Sequence, residues 1–307
     1  MARALSSQSS PSSALARSRP AARLVAQLDQ AAGLRHLLGG APPRQFSGGE
    51  RLPRLRVLAV TGAAAASGKS AIVAQLAQHA AASEQVLVLD QTANEVARHV
   101  GVTARHDLFD LVSGRLGFDA VAVSSGNWRL LPAQRGLQKL AEAGSQDEEL
   151  FCAFLRLRDP VSLLLVNLDD QAHALLPLAA ASGEVLLVTT PSQSAITAAY
   201  ARIKALGRMA ARHGEGVPCT IRVLVNGASN NADARRVFRV LADTARNFLD
   251  IEPAYAGFLP PDRSGAPFGA NRQAPAPACM TALARLAASA RSWRLAEYTL
   301  PESGGVE

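Results

Sequence analysis

Residues 61–70 read TGAAAASGKS, and this stretch decides the fold. An apolar run, RVLAV at 56–60, precedes it, and an amphipathic run at 71–81 follows. That order is strand, tight loop, helix. The loop closes on Gly68, Lys69 and Ser70, the last part of a phosphate-binding loop. In such loops backbone N–H groups and the helix N-terminus hold phosphates, the lysine reaches the outer phosphate and the hydroxyl meets Mg²⁺. The front of the loop departs from G-x-x-x-x-G-K-[ST]. Ala63 stands where glycine is expected, and Gly62 lies one residue early. Ala64, Ala65 and Ala66 fill positions where close backbone approach usually calls for glycine. The chain is built around a nucleotide site whose front half is eroded.

Outward from the loop, short β-rich runs alternate with helical ones. Strands are expected at 57–61, 85–90, 120–124, 163–168, 184–190, 221–226 and 256–259. Most are continuous apolar runs, as in strands buried on both faces of a parallel sheet. Helices are expected at 69–82, 94–100, 130–143, 148–157, 171–181, 194–212, 232–247 and 278–295. The alternation predicts an α/β fold: three layers, a mostly parallel sheet of about seven strands, crossover helices on both faces. Ligands in such sheets bind at the carboxyl ends of the strands, where the loop at 61–70 falls.

Upstream, residues 1–20 are rich in Ser, Ala, Pro and Arg and read as a disordered tail. Within 21–40, Leu24, Leu28, Ala31, Leu34 or Arg35, and Leu38 recur at helical spacing. Gly39 and Gly40 end that helix, and residues 41–54 form a linker. A helix set apart in this way suits docking to a partner. The main domain is expected at 55–298, with a second disordered tail at 299–307.

The chain has 307 residues, a formal charge of +7 and 5% aromatic residues. The charge permits acidic partners, while the scarcity of aromatics argues against stacking on single-stranded nucleic acid. Nucleic acid is therefore not an expected partner. Cys152, Cys219 and Cys279 are widely spaced and suggest neither a zinc site nor a disulfide framework. No apolar run reaches the roughly 18 residues a membrane span needs. These features fit a cytoplasmic protein.

The order of these blocks resembles the MinD/ParA-type ATPases with a deviant phosphate-binding loop, and among them the flagellar-number regulators of the FlhG (FleN) group. The most specific match is DQAAGLR at 29–35. Further matches are DQTAN at 90–94 with VGV at 100–102, NWRLLPAQRG at 127–136, VTTP at 188–191 with ITAAY at 196–200, and LVN at 224–226. GFLPPD at 257–262 and ANRQAP at 270–275 complete the set.

The resemblance implies that ATP and Mg²⁺ would meet Gly62, Ser67, Gly68, Lys69, Ser70, Asp90 and Asn226, with Ser70 at the metal and Asn226 facing the adenine. It implies that Asp29, Gln30, Leu34 and Arg35 dock on the SRP-type GTPase FlhF. It also implies an ATP-promoted homodimer and peripheral contact with the inner membrane.

Three positions depart from the group's chemistry. Its signature lysine falls on Ala64, its water-orienting acid on Thr92 and its Walker B acid on Asn167. Phosphoryl transfer relies on placed charges, so the ATP site is expected to bind weakly or not at all and to turn over slowly. No catalytic residue is assigned. Asp169 or Asp170 could replace the missing acid only if the turn after the strand is reshaped. Two functions stand open: a MinD-like regulator of flagellar number or placement acting through FlhF and flagellar partners, or an active ATPase switch of partitioning or polysaccharide secretion. DQAAGLR favours the first.

At the C-terminal end, residues 279–295 place Met280 and Leu283 on one face, with Arg285, Arg291 and Arg294 as cations. Such a helix could lie on a membrane or be the last helix of the domain. Its Ala-rich face would bury little area in lipid, which favours the domain helix. The six His form no i,i+4 pair, and no G-x-S-x-G elbow occurs.

Overall fold

The computed structural model describes residues 55–64, 66–142, 161–169, 182–212, 219–270, 275–293, 295 and 297–298. Among them, nine strands form one sheet. They are β1 (Leu55–Gly62), β2 (Val86–Asp90), β3 (Val123–Ser125), β4 (Trp128–Pro132), β5 (Leu163–Asn167), β6 (Glu184–Thr189), β7 (Thr220–Asn226), β8 (Ala254–Leu259) and β9 (Glu297–Tyr298). Their order is β3-β4-β2-β5-β1-β6-β7-β8, with β9 added beside the start of β1. Every pairing from β4 through β8 is parallel, and only β3 and β9 run antiparallel.

Among the described residues eight helices accompany the sheet: α1 (Lys69–Ala80), α2 (Glu95–Val100), α3 (Leu108–Val112), α4 (Phe118–Val121), α5 (Gln134–Glu142), α6 (Gln193–Arg212), α7 (Asn231–Leu249) and α8 (Pro277–Ala290). The strands β2, β5 and β6 are buried along their whole length. Their unbroken apolar runs follow from that, because alternate side chains enter two separate cores. On β1, Val57 and Ala59 join the layer of α5, α6 and α7, whereas Leu58 and Val60 join the layer of α1 and α8. The result is the three-layer α/β architecture expected from the sequence.

Two local expectations need correction. The run at 120–124 divides between α4 and β3, because Gly126 at φ 58° turns the chain back to pair β3 with β4. The helix expected from 130 starts only at Gln134, and Trp128–Pro132 is strand β4. Leu130 and Leu131 are both fully buried, on opposite faces beside β2. Pro132 also disfavours helix in the residue before it, a signal present in the sequence.

Helices α3 and α4 were not expected. α3 begins at a capping box in which the Asp107 side chain accepts from Phe109 N and Asp110 reciprocates. The expected helices at 148–157 and 171–181, both tails, the docking helix and the linker lie outside the described residues. In α8, Cys279, Leu283 and Leu286 are buried against the sheet, so its apolar face is spent within the domain. No helix among the described residues is long and apolar enough to cross a membrane.

Candidate nucleotide site

Strand β1 ends at Gly62, and the loop after it is held on both sides. Ala63 N donates to Val188 O on β6 at 2.9 Å, and Ser67 N donates to Ala64 O at 3.0 Å. Ala64 itself packs against the apolar layer under the loop. Gly68 then caps α1 in the left-handed region, φ 77°. A Cβ at that position would lie 1.9 Å from Phe268 O and 2.6 Å from Asn226 Nδ2. Glycine is therefore required twice, by conformation and by contact. The loop end rests on the segment after β8, and Asn226 joins them. Its Nδ2 donates to Ser67 O at 2.8 Å and to Phe268 O at 2.9 Å, while Phe268 N donates to its Oδ1 at 3.0 Å. Asn226 is fully buried, and its amide is committed to this backbone clamp.

Lys69 and Ser70 open α1, and both are buried. The Lys69 Nζ donates to Leu168 O, just past the end of β5. That position lies beside the loop, where an arriving phosphate would compete with a neutral carbonyl for the ammonium.

Beside Ser70 the sheet register sets Asp90 and Asn167 opposite one another on β2 and β5. Asn167 Nδ2 donates to Asp90 Oδ1 at 2.9 Å, to Ser70 Oγ at 3.1 Å and to Thr92 Oγ1 at 3.4 Å. Thr92 Oγ1 donates to Asp90 Oδ1 at 2.5 Å, and the N–H groups of Thr92 and Val96 also donate to that carboxylate. Burial pushes the Asp90 carboxyl above its ordinary range, while the bonds from Thr92, Asn167 and Val96 pull the other way. The substitutions at 92 and 167 thus fit each other. Where the resemblance expects further acids, this chain places two donors on one remaining carboxylate.

Ser70 Oγ also donates to Glu95 Oε2 at 2.7 Å. The Asn167 Oδ1, fully buried, has no hydrogen-bond partner among the described residues. No group of three or more His, Cys, Asp or Glu suited to a metal occurs among the described residues. A cation here would rest on mixed hydroxyl, carboxylate and amide oxygens together with phosphate oxygens. That is how Mg²⁺ is commonly held, and the oxygen set fits it.

The structure thus gathers Gly62, Ser67, Gly68, Lys69, Ser70, Asp90, Thr92 and Asn167 around the loop, and ties Asn226 to it from β7. Asp169 N donates to Gln91 Oε1. Asp170, Asp29, Gln30, Leu34 and Arg35 lie outside the described residues. Sequence reasoning missed Glu95 and Phe268. For Glu95 the signal was an acid at the start of a helix, five residues after Asp90. For Phe268 there was none, because its role is carried by backbone atoms.

No family model matches the chain. It is 31% identical over 216 residues to the antiactivator FleN of Pseudomonas aeruginosa, covering 68% of this chain and 75% of that relative. Among solved structures it is similar to cobyrinic acid a,c-diamide synthase from Mycobacterium smegmatis with bound ATP analog and magnesium. The TM-score is 0.59 at 16% identity, over 78% of this chain and 96% of that one. A ParA family ATPase from Chlorobium tepidum matches at TM-score 0.53 and 20% identity, over 76% and 98% of the two chains. The cell division protein MinD of Aquifex aeolicus matches at 0.50 and 18%, over 80% and 98%.

Proposed function

The chain belongs to the FleN family of MinD/ParA-type P-loop ATPases, and from that premise we propose that it regulates flagellar number or placement by binding partners. The observation that carries this reading is the similarity to an antiactivator across three quarters of that relative's length. The partner surface is the segment with Asp29, Gln30, Leu34 and Arg35, and the partner is an FlhF-type GTPase. These residues offer an acceptor, a two-way amide and a planar fork of donors within one short stretch.

In the proposed reading the loop at 62–70 binds ATP with Mg²⁺. Gly68 and the start of α1 receive the phosphates, Lys69 neutralises them, and Ser70 faces the cation. Bound ATP supplies a binding-state signal. Hydrolysis is slow, because Ala64, Thr92 and Asn167 hold no charge to orient water or stabilise the transferring group. A nucleotide-dependent homodimer and peripheral membrane contact belong to the same proposal.

Two experiments test it. A peptide spanning 23–38 is expected to capture the FlhF-type GTPase, and undiminished binding by a chain lacking 1–40 would refute that surface. Calorimetric titration with ATP and Mg²⁺ is expected to show at most weak binding, with phosphate release close to background. Brisk turnover abolished by Lys69→Ala would overturn slow hydrolysis.

A further inference from the structure

We infer that Glu95 supplies the carboxylate for the divalent cation at Ser70, in place of the acid absent from position 167. The inference rests on the nucleotide reading above. Glu95 opens α2, directly after Asn94, whose left-handed backbone (φ 57°) turns the chain at that point. Its Oε2 accepts from Ser70 Oγ at 2.7 Å. Two oxygens on adjacent corners of a Mg²⁺ octahedron lie about 2.9 Å apart, given metal–oxygen distances near 2.0–2.1 Å. The pair is therefore already spaced as neighbouring ligands.

The hydroxyl's bonding leaves room for a metal. A serine oxygen has one hydrogen and two lone pairs. At Ser70 the hydrogen goes to Glu95, and one lone pair accepts from Asn167 Nδ2. The second lone pair remains for a cation. The assignment of the Asn167 amide follows from Asp90, whose carboxylate can only accept from Nδ2. That leaves Asn167 Oδ1 buried and without a partner among the described residues, beside the same hydroxyl, an acceptor suited to a metal-bound water.

Asp90 cannot serve equally well, since Thr92, Asn167 and Val96 already donate to both its oxygens. The Glu95 side chain is 44% exposed and otherwise only 4.0 Å from Arg98, so it is free to follow the ion. Asp169, two residues past Asn167, is the competing acid.

The test is the affinity of the full-length chain for a fluorescent ADP analogue, measured in millimolar Mg²⁺ and again in EDTA. For the unaltered chain Mg²⁺ is expected to tighten binding about tenfold or more. Glu95→Gln should bring that ratio close to one by removing the tightening that Mg²⁺ produces, with the melting temperature of the nucleotide-free chain as the check on folding. Asp169→Asn should keep the ratio. Retention of the full Mg²⁺ effect by Glu95→Gln, or its loss in Asp169→Asn alone, overturns the inference and leaves the nucleotide reading intact. Absence of ADP binding by the unaltered chain in both buffers overturns both.

Discussion

Asn226→Ala separates a structural role for this side chain from a purely base-reading one. In the structure Asn226 makes three buried hydrogen bonds, two as donor to Ser67 O and Phe268 O and one as acceptor from Phe268 N. Each such bond is worth about 0.5–1.5 kcal/mol net, and truncation leaves buried backbone groups with fewer partners. The expected loss is therefore about 3 kcal/mol without any nucleotide present. For a domain of this size 1 kcal/mol corresponds to roughly 2–4 °C, so the melting temperature should fall by about 6–12 °C.

Asn226→Asp should do no better. A carboxylate can still accept from Phe268 N, but its other oxygen would face two carbonyl oxygens. The assay is thermal and urea unfolding of the nucleotide-free protein. If Asn226→Ala melts within a degree or two of the parent and loses only nucleotide affinity, the clamp between loop and Phe268 contributes nothing, and the reasoning fails.

Gly68→Ala should destabilise the domain by about 2–5 kcal/mol, from left-handed backbone cost plus overpacking against Phe268 O. Urea unfolding checks this, and a midpoint like the parent's would contradict it. Asn167→Asp restores the acid of the resembled group but sets a second carboxylate within hydrogen-bonding distance of Asp90. Burial already raises Asp90, so it holds its proton more tightly in the folded than in the unfolded chain; the stability from that shift is present at low pH and lost as pH rises through the folded value. The variant should thus lose about 1–3 kcal/mol relative to the parent at alkaline pH and progressively less as pH falls, and a loss independent of pH would refute the argument. Burial and Glu184 push the Cys219 thiol up to about 12, and burial with Asp262 raises Cys279 as well. In a Cys152→Ser background a thiol reagent at pH 8 should label neither until denaturant is added, since on the order of one Cys219 in 10⁴ is thiolate. Fast labelling of the native protein would count against this.

The loop and the sheet were legible because their signals are local. A glycine, a lysine and a serine in a row after an apolar run mark a loop end, and unbroken runs such as LLLVN mark strands buried on both faces. The failures were local conflicts. WRLLP carries leucines that suit either a helix or a strand; Pro132 already weighed against helix, and its place beside β2 settled the strand. Asn167 and Thr92 read as losses when each is compared with an acid. Seen together on Asp90 they form a single donor network.

By itself, the sequence determined the alternation of strands and helices, the place of the loop and the family resemblance, since these depend on residue type and near-neighbour spacing. Tertiary structure decided which side chains meet. Ser70 and Glu95 are 25 residues apart, Asn226 and Phe268 are 42 apart, and Asp90 and Asn167 are 77 apart. Parallel strand register brings such residues to one sheet edge, and no local periodicity encodes a register between strands so far apart in the chain.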